Sequence, residues 1–94
     1  MSLAKKVWHL LLRKGMELRS NPNFSEVEWD DYVLSIGCET AQCEASNFGG
    51  YEEEKSVVVR DENHTAFGNK RGQIPRCLRI DKETAMKIAI LGLP

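Results

Sequence analysis

Three cysteines and two histidines are the residues with the most specific chemistry in this chain of 94 residues. Cys38 and Cys43 have four residues between them, and His64 and Cys77 lie downstream. Thiolate and imidazole together suit a tetrahedral zinc ion. The spacing argues against that use: paired C-x-x-C knuckles are absent. On a strand, Cys38 and Cys43 would also face opposite sides unless a bulge intervened. A small zinc-binding protein is therefore the second alternative, and small buried or half-buried thiols are the expectation. An odd cysteine count with no export signal favours reduced thiols and a cytoplasmic location over a disulfide framework.

Catalysis at a cysteine or histidine needs a nucleophile, a base and an orienting group that converge in a pocket. His9 falls near the polar face of a helical pattern and His64 in a polar turn, and neither adjoins a recognisable signature. Asp30 and Asp31 are adjacent, and neighbours in sequence diverge in direction, so a solvated acidic turn explains them better than a carboxylate pair. No glycine-rich phosphate loop of either common pattern is present. The chain is expected to be no enzyme, to have no catalytic residues and to use no cofactor.

Charge is the strongest pattern. Residues 1–20 hold five bases (Lys5, Lys6, Arg13, Lys14, Arg19) against Glu17, a balance of +4. Residues 21–64 hold eleven acids against Lys55 and Arg60, a balance of −9. Residues 65–94 return to +4, with six bases against Asp81 and Glu83, so the total is −1. Opposite blocks can meet inside one fold or present separate faces to partners. The acidic middle, with Glu26, Glu28, Asp30, Asp31, Glu52, Glu53 and Glu54, is the expected docking surface for another protein. The first alternative is nucleic-acid binding through Lys70, Arg71, Arg76 and Arg79, with Phe67 as a stacking surface. A sequence pI of about 6.1 weighs against it.

The elements that position these residues follow from periodicity. Over 3–18, Leu3, Val7, Leu10, Leu11 and Leu18 recur at helical spacing, widened by Trp8, Leu12 and Met16. The sequence Asn21-Pro22-Asn23 stops that helix. A basic helix of this kind also suits a membrane surface, but packing on a sheet explains the stripe more economically. Ser25 and Glu28 have capping-box spacing, flanked by Phe24 and Trp29 as a hydrophobic staple, which predicts a helical turn over 26–31. Val33, Leu34 and Ile36 predict a first strand over 32–43, with a bulge or close approach at Gly37.

The turn at 47–50 and Val57-Val58-Val59 predict a second strand over 55–60, paired with the first as an antiparallel hairpin. A third strand is expected to open at 65–67 and resume over 73–80. Pro75 places it at an edge or makes it begin after the proline. Asp81 is a natural N-cap for a last helix, with Glu83 in its first turn, Ala85, Ile88, Ala89 and Leu91 on its apolar face, and Gly92 at its end.

Composition fits this scheme. Hydrophobic residues make up 41% and charged residues 29%, near globular averages, and no apolar run approaches the length of a membrane span. The N-terminal apolar stretch is broken by His9, Arg13 and Lys14, so it is not read as a secretory signal. Asn63-His64-Thr65 matches a glycosylation acceptor that has no use without export. The expected fold is α+β: one domain over 1–94, with a small antiparallel sheet of about three strands packed by an N-terminal and a C-terminal helix. Trp8, Trp29 and Phe48 exceed what such a small core readily hides, so a homodimer is a further expectation.

Overall fold

The fold was obtained as a computed structural model, which describes residues 2–43, 49–60 and 77–94, the side chains of Glu26 and Val27 excepted. Its first helix, α1 (Leu3–Arg19), begins at Ser2, whose hydroxyl accepts the Lys5 N–H at 3.2 Å. That bond satisfies one of the amides left without a partner at a helix start. Of the predicted stripe, Val7, Trp8 and Leu11 are buried, joined by Ala4 and Gly15, while Leu3, Leu10, Leu12 and Leu18 are partly buried against the core and Met16 is exposed. The helix packs on the sheet through this stripe, which is what its amphipathic pattern requires.

The second helix corrects the sequence reading. The capping serine is in place, with Ser25 Oγ accepting the Glu28 N–H at 3.3 Å, but α2 runs through Glu26–Ser35 and takes in the first third of the expected first strand. Trp29, Val33 and Ile36 sit at helical spacing and are all buried, so burying one stripe outweighs the strand preference of Val33 and Ile36. Gly37, with φ of 92°, follows the helix and donates its N–H to Leu34 O at 3.1 Å. It is a helix terminator in the left-handed region and not a strand bulge. The strand that remains is β1 (Cys38–Ala41).

Three further strands follow: β2 (Tyr51–Glu52), β3 (Ser56–Arg60) and β4 (Cys77–Asp81). The sheet is antiparallel throughout, in the order β1-β4-β3-β2. Among the described residues it has four strands where about three were expected. The expected hairpin between the first and second strands does not form: β1 pairs with β4, matching Cys38 to Ile80 and Ala41 to Cys77. The partner that β3 takes through a tight turn is β2, with Glu53 N–H donating to Ser56 O at 2.8 Å. β4 is an interior strand and not an edge, consistent with its starting after Pro75. The expected strand opening at 65–67 lies outside the described residues.

Register sorts the side chains into two faces. Cys38, Val57, Val59, Leu78 and Ile80 lie on the face covered by the helices and join Trp8, Leu11, Trp29, Val33, Ala85 and Ile88 in one core. The other face carries Glu39, Arg79, Val58, Cys77 and Arg60, of which Val58 and Cys77 are fully buried. The last helix, α3 (Lys82–Leu91), is capped by Asp81, whose carboxylate accepts the Thr84 N–H at 3.2 Å. It ends at Gly92, as predicted. Leu91 is not on its buried face: Ile90 and Leu91 both project into solvent, and Leu93 folds back against the core instead.

Two expectations about side chains change. Cys43 and Cys77 form a disulfide, with Cα atoms 5.8 Å apart, so only Cys38 is a free thiol. The expectation of three reduced thiols therefore fails, because the pairing of β1 with β4 brings together two cysteines that lie 34 residues apart in sequence. Trp8 and Trp29 are both buried within one chain. They give no reason for a dimer, and Phe48 lies outside the described residues. Among the described residues, no helix is long and apolar enough to cross a membrane.

Candidate functional site

The seven acidic residues singled out from sequence do not form one surface. Glu26, Glu28, Asp30 and Asp31 belong to α2, which packs beside β1 at one edge of the sheet. Glu52, Glu53 and Glu54 belong to β2 and its turn, at the opposite edge. Glu28, Asp31, Glu52 and Glu54 are exposed, and Asp30 is half-buried.

Glu53 has a structural use. It accepts the Ser56 hydroxyl at 2.8 Å and pairs with the Arg79 guanidinium at 3.3 Å. The Ser56 hydrogen bond, with Arg79 adding to it, holds its carboxyl below the usual carboxylate range.

Between α2 and the β1 edge lies a cavity of about 140 Å³, lined by Asp30, Val33 and Leu34 from α2, Cys38 and Thr40 from β1, and Leu78 from β4. The lining is mostly apolar. Burial pushes the Cys38 thiol up to about 12, so it is neutral and a poor nucleophile at physiological pH. Leu34 is 59% exposed, unusual for a leucine beside such a cavity.

α2 is tied to α1 at its other side. The Tyr32 ring stacks on Trp29 with centroids 5.7 Å apart, and the Lys14 ammonium lies 5.7 Å from the Tyr32 ring centre. Burial is the main reason that the Tyr32 phenol is held above its ordinary range.

The other candidate chemistry does not come together among the described residues. The disulfide takes up two of the four suggested zinc ligands, and Cys38 faces the helices while Cys77 faces the opposite side of the sheet. His64 lies outside the described residues. No group of three or more histidine, cysteine or acidic side chains suited to a metal occurs among the described residues. Of the suggested nucleic-acid contacts, Lys70, Arg71 and Arg76 lie outside the described residues. Arg79 is committed to Glu53 and stands opposite Glu39 across the β1–β4 ladder, a setting that favours its staying within the protein. His9 is exposed on α1.

The sequence reading missed Leu34, Thr40 and Glu39 as parts of a site. Their signal was not local: they gain meaning only when β1 is an edge strand and α2 lies along it. Compared with protein families, curated proteins and solved structures, the chain matches none.

Proposed function

We propose that this chain is a small non-enzymatic binding protein that acts through protein–protein interaction, with the acidic α2–β1 side as its docking surface. The observation that carries the reading is a mostly apolar cavity between α2 and β1 with Asp30 in its lining, formed by two elements that also expose acids, Glu28 and Asp31 on α2 and Glu39 on the other face of β1. Exposed acids on these two elements speed encounter with a basic surface, while the apolar cavity supplies contacts that persist after encounter. Glu52 and Glu54 play no part in this surface, because they belong to the far edge.

The expected cytoplasmic location rested on reduced thiols. Disulfides form and persist in oxidising compartments, so the redox state of Cys43 and Cys77 in protein taken from its native source decides between the two.

The test compares the wild-type chain with the E28K/D31K/E39K variant as bait in a native extract, with mass measurement of what each retains. The proposal expects a basic protein that the wild type retains and the variant loses. Retention of nucleic acid, or equal capture by both baits, would count against it.

A further inference from the structure

We propose that the β1 edge, together with the cavity beneath α2, takes an extended peptide of alternating basic and apolar residues by adding it to the sheet as a fifth strand. This inference rests on the reading that the α2–β1 side binds a protein, and it specifies how.

Three observations converge on it. First, β1 ends the strand order, with β4 on one side and, among the described residues, no strand on the other. Its Glu39 and Thr40 are exposed. In an antiparallel ladder every second residue turns both backbone groups towards one neighbour, so two of the four residues of β1 turn N–H and C=O outward. Such an edge is a template for an added strand.

Second, the cavity lies against that same strand, which lines it with Cys38 and Thr40. Its volume of about 140 Å³ approaches that of cavities known to hold benzene, roughly 150 Å³, so one leucine- or phenylalanine-sized side chain fills it. Cys38 and Thr40 line it from β1, so the residue of an added strand set opposite either of them points to the cavity side.

Third, charge selects the flanks. Glu39 lies on the other face of β1, so the neighbours of that apolar residue in an added strand stand beside Glu39, where lysine or arginine pairs well. Asp31, one turn before Leu34 on α2, adds a second exposed acid on the neighbouring helix. A second copy of this chain is disfavoured as occupant, because pairing β1 with β1 sets one acidic edge against another. The occupant is therefore a basic–apolar–basic segment of another protein.

The test uses the full chain with its disulfide intact and a fluorescein-labelled heptapeptide, Lys-Thr-Lys-Leu-Lys-Thr-Lys, followed by anisotropy. Two N-methylated forms carry the methyl groups on alternate residues. One form blocks the amides that face β1, and the other blocks those that face away. The expected result is that one form loses about tenfold or more in affinity while the other stays within about twofold of the parent, as a ladder of few hydrogen bonds demands. Replacing the leucine by alanine, or Glu39 by lysine in the protein, is expected to weaken binding by about tenfold, and Glu54→Lys at the far edge to leave it unchanged.

Equal binding of both N-methylated forms, or of a scrambled peptide, overturns strand addition. Poly-lysine separates this failure from failure of the underlying reading. If poly-lysine binds the wild type and not E28K/D31K/E39K, the acidic surface still binds protein. If neither poly-lysine nor the heptapeptide binds, the inference and the reading fall together.

Discussion

Cys43, just beyond the end of β1, is bonded to Cys77, the first residue of β4, with 5.8 Å between their Cα atoms. The bond fastens an edge strand of four residues to the centre of the sheet, and the 34-residue span that it closes contains β2 and β3. Closing a span of that size removes unfolded-state entropy worth about 3–4 kcal/mol. Reduction, or the C43A/C77A double substitution, is expected to lower the urea midpoint accordingly. An unchanged midpoint on reduction would contradict this stabilisation.

Cys38 is expected to be chemically silent in the native state. With burial pushing its pKa to about 12, only about one molecule in ten thousand carries a thiolate at pH 8. A thiol reagent should therefore find no reactive group in the folded protein and one per chain in denaturant. Rapid modification of the native protein would place the side chain outside the core.

Gly50 and Gly37 both have positive φ, 91° and 92°, but their surroundings differ. A Cβ at Gly50 would collide with the Val58 carbonyl, whereas at Gly37 it would meet only Thr84 Cγ2 at 3.9 Å, an ordinary contact. Gly37→Ala is thus expected to cost about 1–2 kcal/mol from backbone conformation alone. Gly50→Ala should cost more, because the β2–β3 backbone must also shift. Thermal melts of the two variants give the order, and equal losses would contradict it.

The tie of Glu53 to Ser56 and Arg79 sets a pH dependence. Its folded pKa is depressed, so the stabilisation is present above the ordinary carboxylate pKa of 4.5 and is lost as pH falls through the lower folded value. Unfolding of wild type and Glu53→Gln between pH 3 and 7 should show the difference between them shrinking toward the acid end. A difference that grows on acidification would reverse the sign.

What could be read from the sequence was what is encoded locally. α1 and α3 are marked by their caps and apolar stripes, and β3 by three consecutive valines. The boundary between α2 and β1 was misread because Tyr32 to Ile36 is rich in strand formers, and only the burial of Trp29, Val33 and Ile36 against the sheet decides for helix. β2, at two residues, is too short to carry a period. Strand order and the Cys43–Cys77 bond join distant segments, and no spacing rule encodes such pairings. The candidate site inherits that difficulty. Its acids were visible as a run of charge, but the cavity exists only once Leu34, Thr40 and Leu78 are brought together from three elements.

The claim that matters most is that the α2–β1 side is the binding surface. Backbone amide NMR during titration of the isotope-labelled chain with poly-lysine tests it residue by residue. The account predicts shifts concentrated at residues 28–41, with 51–55 and α3 unmoved. Shifts centred on the 51–55 turn or on α3, with residues 28–41 unaffected, would contradict it.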